Sequence, residues 1–302
     1  MIDDCISAAG RRPLVSVVIP HYSDLEGLGL CLDALARQTF DRDGFEVIVS
    51  DNGSPEGEAA VAAVIDGRAR LVVVDERGAG PARNGGVAVA TGEILAFTDS
   101  DCRPEPGWLA AGVEALLQSD FVGGRMVVIV DDVARPTAAE AFECVFAFAN
   151  DTYVRRKGFS VSANLFCAKA TFETVGGFRV GLSEDVDWCQ RASAAGFEIG
   201  YAPGAVVSHP ARKTWHDLKN KWRRMNAETY ALWARRPAGR WLWLIRSLGL
   251  PLSALAHAPR VLTSRSLAGP SQRFAAMGML FRLRLWRMGD ALSLFLDGWP
   301  DA

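Results

Sequence analysis

Two carboxylates separated by one residue, Asp99-Ser-Asp101, follow directly on the short apolar run Ile94-Leu-Ala-Phe97. Like charges this close repel unless a cation or a set of hydrogen-bond donors compensates them. Hard divalent cations such as Mg²⁺ or Mn²⁺ bind through one or two carboxylates together with phosphate oxygens of a substrate, and the pair suits that chemistry. Taken alone, an Asp-x-Asp is in most sequences a solvated turn, so its position at the end of a buried strand is what makes it a candidate. Further groups stand at comparable places: Asp51 closes Phe45-Glu-Val-Ile-Val-Ser50, Arg83 and Asn84 follow Arg70 to Val74, and Glu184-Asp185 opens a helical stretch. Acids at a helix start are also what the helix dipole favours, and that generic explanation stands beside a chemical one for Glu184-Asp185. His209 comes after a short apolar run, where a lone histidine is usually structural.

The elements that must position these groups form an alternating series. Leu14-Val-Ser-Val-Val-Ile19 is a β-branched run closed by Pro20, the pattern of a strand buried on both faces. Leu25 to Gln38 places Leu28, Leu32, Leu35 and Ala36 at helical spacing, and Phe45 to Ser50 reads as a second strand. A helix near Glu56 to Ile65, a strand Arg70 to Val74, a helix Pro81 to Ala90 with proline in its first turn, and a strand Ile94 to Thr98 continue it. The expected fold class is α/β, an open, mostly parallel sheet with helices on both faces and ligands beyond the carboxyl ends of its strands. After a helix Trp108 to Gln118 and a strand Phe121 to Val130 the pattern becomes mixed. A helix is expected around Ala138 to Arg156, a strand at Ser162 to Ala168, a helix at Glu184 to Ala195, and short runs near Ile199 to Tyr201 and Val206 to Ser208. Beyond Thr214 the chain reads as helix or linker, and no internal repeat is found.

A dinucleotide fingerprint is absent, because the turn after the first strand, Pro20-His-Tyr-Ser-Asp24, has no glycine, and the later Gly78-Ala-Gly80 has Arg83 where the third glycine would stand. No Gly-Lys-Ser/Thr occurs, which excludes a Walker loop. A nucleotide on this sheet would be bound by side chains. The chain has 302 residues, 49% hydrophobic and 23% charged, which excludes disordered and fibrous classes. Its net charge of -2 hides an asymmetry: 17 Lys+Arg against 30 Asp+Glu up to Pro210, and 16 against 5 from Ala211, so the parts carry -13 and +11. Seven of the nine tryptophans fall in the second part. The cysteines at 5, 31, 102, 144, 167 and 189 have no metal-ligand spacing and read as reduced thiols. The start, Met-Ile-Asp-Asp-Cys, lacks the pattern of a signal peptide, and the 13 uncharged residues Ser247 to Pro259 fall short of a spanning helix, so a cytoplasmic protein is expected.

Five ordered motifs make the reading specific: Val15-Ser-Val-Val-Ile-Pro20, Val49-Ser-Asp51-Asn-Gly-Ser54, Gly80-Pro-Ala-Arg83-Asn84-Gly-Gly, Ala90-Thr-Gly-Glu-Ile-Leu-Ala-Phe-Thr-Asp99-Ser-Asp101 and Ser183-Glu184-Asp185-Val-Asp187-Trp188. In order and spacing they resemble the family 2 glycosyltransferases, inverting enzymes of the GT-A fold. The resemblance covers about residues 13 to 212, implying a catalytic domain with a nucleotide-binding half, 13–101, and an acceptor half, 102–212, followed by a helical extension, 213–302. It implies that Pro20 and Asp51 contact the nucleotide base and that Arg83, with Asn84 beside it, lies by the base or diphosphate. Asp99 would face ribose and metal, Asp101 would be the direct metal ligand, and His209 would complete the metal site. Ser183-Glu184-Asp185 resembles the family's xED motif, whose aspartate is the catalytic base.

The residue types fit that chemistry. Sugar transfer from a nucleotide diphosphate needs a cation for the departing diphosphate and a separate carboxylate to take the proton of the attacking hydroxyl. Asp185 at a helix start is expected to supply the base, with Trp188 an acceptor-stacking face; Ser162-Ala-Asn164 and Gly176-Gly-Phe178 match a family region that shapes the acceptor site. Phe142, Phe146 and Phe148 read as core. The expected partners are a nucleotide-sugar donor and a polysaccharide, glycolipid or polyprenyl-linked acceptor, with Mg²⁺ or Mn²⁺ as cofactor. The basic tail lacks the Gln-x-x-Arg-Trp motif of processive members, so the resemblance implies single transfer. Arg240-Trp-Leu-Trp-Leu-Ile-Arg246 and Phe281-Arg-Leu-Arg-Leu-Trp286-Arg287 read either as helices at an anionic membrane surface or as packing helices. Two other classes compete. A sugar-phosphate nucleotidyltransferase would need a glycine- and arginine-rich first loop, which is absent, and a nucleic-acid-binding tail would sit beside an acidic domain that repels phosphate.

Overall fold

A computed structural model describes residues 13–297; the expectations for Cys5, Trp299 and the N-terminal sequence fall outside it. The chain divides into two compact units. The first comprises residues up to Met126, Asn150–Val180 and Glu184–Ser208, and the second Val127–Ala149, Gly181–Ser183 and the chain from His209. The segment Val127–Ala149, expected in the catalytic domain, therefore packs with the C-terminal helices.

The sheet is built from β1 (Val15–His21), β2 (Phe45–Asp51), β3 (Arg70–Val73), β4 (Ile94–Phe97), β5 (Arg103–Pro104), β6 (Phe121–Ile129), β7 (Leu165–Ala168) and β8 (Ile199–Pro210), in the order β3-β2-β1-β4-β7-β6-β8-β5. β1 pairs in parallel with β2 and β4, and β2 with β3, whereas β7 runs antiparallel to both β4 and β6. The alternation of side chains divides each central strand between two cores. Val15, Val17 and Ile19 of β1, with Val47 and Val49 of β2, face a cluster completed by Leu28 and Leu32 of α1 (Leu25–Ala36), Val61 of α2 (Glu58–Ile65) and Trp108 of α4 (Trp108–Ala115). Val18, Ile48, Leu95 and Phe97 face the other side, covered by Val87 of α3 (Ala79–Val89), Phe172 of α7 (Lys169–Val175) and Trp188 of α8 (Glu184–Ala194). Burial on both faces is what the β-branched runs encode.

The structure corrects several boundaries. The helix expected over Ala138 to Arg156 is two helices, α5 (Ala138–Phe146) and α6 (Asn150–Lys157), and the break coincides with the passage of the chain between units. Asn150 at the start of α6 is buried, its amide donating to Gly124 O at 2.6 Å and Ser160 Oγ at 3.0 Å. The expected strand at Ser162 to Ala168 begins with a 3₁₀ turn over Ser162–Asn164, and the two short runs after Ile199 are one strand.

The second unit is helical apart from the strand ends. It contains α5, α9 (Trp215–Ala234), α10 (Gly239–Leu248), α11 (Leu250–Thr263) and α12 (Pro270–Asp297). Capping boxes start two of them, Thr137 with Glu140 for α5 and Thr214 with Asp217 for α9. Phe142 of α5, Leu218 of α9, Ala254 of α11 and Leu280 of α12 share a core, with Phe146 against it, as the sequence implies for these phenylalanines. The stretch Phe281 to Arg287 is a packing surface: Leu283 and Arg287 are buried, and the Arg287 guanidinium lies 3.8 Å from the centre of the Trp222 ring. No helix among the described residues is long and apolar enough to cross a membrane.

Candidate functional site

The parallel register brings the ends of three strands together. β1 has β2 on one side and β4 on the other, a switch in strand order, and open α/β sheets bind their ligands beyond the carboxyl ends of the strands at such a switch. Pro20 and His21 close β1, Asp51 closes β2, and Asp99 and Asp101 lie just beyond β4. Asp51 is buried and accepts from Ser54 N–H at 3.0 Å and from the Ser54 hydroxyl at 2.5 Å, while Asn52 donates to Val74 O and Glu76 O at 3.0 and 2.7 Å and accepts from Gly78 N–H at 2.7 Å. Asn52 thus fixes the loop that leads into α3. The sequence reading did not single it out, and within its motif only the fixed spacing after Asp51 marks it. Burial lowers the His21 pKa against the opposing pull of Asp51, whose carboxylate lies 4.0 Å away.

At the centre is Arg83. α3 carries it to the sheet with its side chain only 3% exposed, where one guanidinium nitrogen bonds Asp99 at 2.5 Å and another bonds Glu184 at the start of α8. Burial opposes the charge on Arg83, but Glu184 and Asp99 together raise its pKa, so it is a permanent cation. The ring of Phe178 lies beneath it at 5.8 Å. Gly80 leaves room for this approach: a Cβ there would stand 2.7 Å from a Glu184 carboxylate oxygen, which would have to shift. The Arg83–Glu184 pair is not legible in the sequence, because the partners are 101 residues apart.

The neighbouring loop is held as firmly. Asn84 donates to Phe178 O at 2.8 Å and accepts from Phe178 N–H at 2.9 Å, so the structure gives it the task of holding backbone. Arg191 of α8 bonds Asp187 at 2.9 Å and the carbonyls of Val175 and Gly177 at 2.6 and 2.7 Å. Gly176, at φ +82°, caps α7 as its residue type implies. Asp185 stands beside Glu184 on the first turn of α8 and accepts from Val186 N–H at 2.8 Å.

Asp99, Asp101 and Cys102 place one donor atom each within 4.8 Å of one another. The Cys102 thiol is buried, and burial, reinforced by Asp101 and Asp99, raises its pKa well above the usual thiol range, so it stays protonated and is a poor ligand. Two partly exposed carboxylates remain, and oxygen donors of this kind fit a hard divalent cation.

Other expected site residues are placed differently. Trp188 is fully buried, edge-on to Phe121 and stacked on Phe172, with its indole N–H given to Gly176 O at 3.0 Å; no face is left for stacking on an acceptor. Asn164 is also fully buried, donating to Arg125 O and Ala205 O at 3.0 and 2.9 Å and accepting from the Trp108 indole at 2.9 Å, so it ties the sheet together rather than meeting a ligand. His209 lies in the second unit, where its ring packs 5.2 Å from Phe148 and Nδ1 sits 2.7 Å from Pro210 O. Its place at a metal rests on the resemblance alone.

Comparison with known proteins agrees with this architecture. The family described as "Glycosyl transferase family 2" matches residues 16–185. The glycosyltransferase AglE of Haloferax volcanii is 33% identical over 219 residues, which are 70% of this chain and 71% of that protein. The pre-mycofactocin glycosyltransferase of Mycobacterium tuberculosis is 29% identical over 282 residues, 84% of this chain but 57% of the relative. Among solved structures, the mannosyltransferase PcManGT from Pyrobaculum calidifontis, in complex with GDP-Man and Mn²⁺, superposes with a TM-score of 0.62 at 22% identity, covering 95% of this chain and 88% of that one. The sheet is GT-A-like, followed by a helical C-terminal region.

Proposed function

This chain belongs to glycosyl transferase family 2 and is a glycosyltransferase, and from that premise we propose a metal-dependent, inverting transfer of a single sugar from a nucleotide-diphosphate sugar to a polysaccharide, glycolipid or polyprenyl-linked acceptor. The observation that carries the reading is the buried Arg83 bridge, which joins Asp99 at the end of β4 to Glu184 at the head of α8 and so sets the carboxylates beyond β4 and the acids of α8 at fixed places around one crevice. The donor and cation held by the Pyrobaculum mannosyltransferase support the same ligand classes here.

In this reading Asp99 and Asp101 hold the cation. Bound there, a divalent ion supplies charge neutralisation for the diphosphate leaving group. Pro20 and Asp51 bound the base side of the crevice, and Arg83 keeps positive charge beside Asp99. Glu184 is bonded to Arg83 and positions the head of α8, and the adjacent Asp185, which stands at the aspartate of the xED motif, acts as the general base. Its carboxylate takes the proton of the acceptor hydroxyl while that oxygen forms the new bond to the anomeric carbon, opposite the breaking bond to the diphosphate, so the configuration inverts. Asn84 and Arg191 act through the backbone around Phe178 and are positioning residues.

The reading is tested by incubating the protein with a panel of nucleotide sugars, without acceptor, with Mn²⁺, Mg²⁺ or chelator, and measuring release of nucleotide diphosphate. One preferred donor should be hydrolysed only with a cation, and Asp101→Ala should abolish both that release and cation-dependent binding of the nucleotide diphosphate. Wild-type activity of Asp101→Ala in Mn²⁺ would refute the metal assignment.

A further inference from the structure

Helices α10 and α11 are apolar on two faces. Their inward faces bury Trp243 and Ser247 on α10 and Leu250, Ala254 and Val261 on α11. On the opposite side of each helix a second series, Trp241, Ile245, Leu248, Leu252, Leu255 and Leu262, is exposed, from 53% at Leu248 to 70% at Leu252. These residues recur every three or four positions, with exposed Pro259 filling the last interval, which puts them on one side of each helix. Isolated exposed leucines need no explanation; a stripe carried through two successive helices does.

The charge around the stripe selects what covers it. From Thr229 to Gly289 the sequence has ten arginines and no acidic residue, and Arg235, Arg236, Arg240, Arg260 and Arg265 are exposed. A second copy of the same region would bring arginine to arginine with no carboxylate to receive them. A bilayer containing anionic lipids offers the aliphatic side chains an apolar layer and the guanidinium groups phosphate oxygens. Long arginine stems let their heads reach the headgroups while the helix lies lower, and an exposed indole such as Trp241 suits the boundary between the two. The Trp/Arg pairs of α9 and α12, such as Arg287 on Trp222 and Arg282 on Trp215, are contacts within the helical unit and add nothing to this surface.

We propose that the outward stripe of α10 and α11 docks the protein on an anionic lipid bilayer, with Ile245, Leu248, Leu252 and Leu255 in the acyl boundary and the surrounding arginines on the headgroups. This goes beyond the transfer reaction and does not rest on it, since vesicle binding is read without donor or acceptor. The test is co-sedimentation of the full chain with vesicles of phosphatidylglycerol and phosphatidylcholine or of phosphatidylcholine alone. Partitioning onto the anionic vesicles should be about tenfold or more stronger and should weaken with salt. The variant Ile245→Glu/Leu252→Glu/Leu255→Glu, changed only at exposed positions, should lose that binding about tenfold or more while keeping the wild-type circular dichroism and unfolding temperature. As a second readout, Leu252→Cys carrying a polarity-sensitive fluorophore should shift to the blue on anionic vesicles. Absence of wild-type binding, equal binding by the triple variant, or an unshifted fluorophore would overturn the proposal. So would a solution dimer that the triple variant dissolves, because the stripe would then belong to self-association.

Discussion

Each unit contains a buried ionic group of three members, and the two are mirror images in charge. In the sheet unit one cation, Arg83, faces two acids; in the helical unit one acid, Glu143, faces two cations, Lys221 at 2.8 Å and Arg212 at 3.2 Å. Glu143 is 2% exposed and its cations 12% and 25%, and the Arg212 backbone N–H adds a bond at 2.8 Å. Around Arg83 the arrangement is inverted: the cation is buried and its acids, 33% and 24% exposed, reach the crevice. The same construction therefore has two uses. With its single central acid enclosed, it ties α5 to α9 and to the loop between β8 and α9; with its acids partly exposed, it has in the proposed function the task of orienting groups for a ligand. A buried ion pair adds little net stability over an apolar contact, so its presence alone does not mark function.

Glu143→Ala leaves Lys221 and Arg212 without their acid and should cost about 3 kcal/mol of stability in denaturant unfolding, with donor hydrolysis by the folded protein unchanged. Arg83→Ala should do the reverse: about 1–2 kcal/mol of stability, since Asp99 and Glu184 can be solvated, but a turnover loss of roughly 10²-fold from misplaced groups. If the two variants behave alike, the distinction between an enclosed and an open network fails.

Burial raises the Glu143 pKa, but Lys221 and Arg212 outweigh it and hold the folded value below 4.5. Its contribution to stability is therefore fully present above pH 4.5 and is lost as pH falls through the lower folded value. Stability measured from pH 4.5 downward should fall more steeply in the wild type than in Glu143→Gln. The smallest effect is expected for Gly80→Ala, whose Cβ would meet the movable end of Glu184 and should cost about 1 kcal/mol, together with a measurable fall in turnover.

The parts of this molecule legible in its sequence are those written in local pattern. The runs ending at Ile19, Ser50 and Phe97 give the central strands, and their ends give Asp51, Asp99 and Asp101, because a parallel sheet presents its ligands where its strands stop. The ordered motifs give the family. What was not legible depends on contacts between distant segments: Arg83 with Glu184, Asn84 with Phe178, and the joining of α5 to the C-terminal helices. Trp188 and Asn164 show the cost of reading type without burial. Each sits in or beside a family motif, yet both side chains are fully enclosed and their hydrogen bonds go to the protein. Of the two Trp/Leu/Arg stretches of the tail, Arg240 to Arg246 and Phe281 to Arg287, only burial separates the second, half of which points inward, from the first, whose outward face continues into α11.

In the proposed function Glu184 positions the head of α8 and Asp185 takes the proton, and Asp185→Asn separates the two roles. The substitution preserves shape and keeps one oxygen to accept from Val186 N–H while removing the capacity to take a proton. Donor affinity, measured by calorimetry with the preferred nucleotide sugar and cation, should stay near that of the wild type, while turnover with acceptor falls roughly 10²-fold or more. A collapse of donor affinity with turnover per bound donor intact would contradict the account and make Asp185 a binding residue.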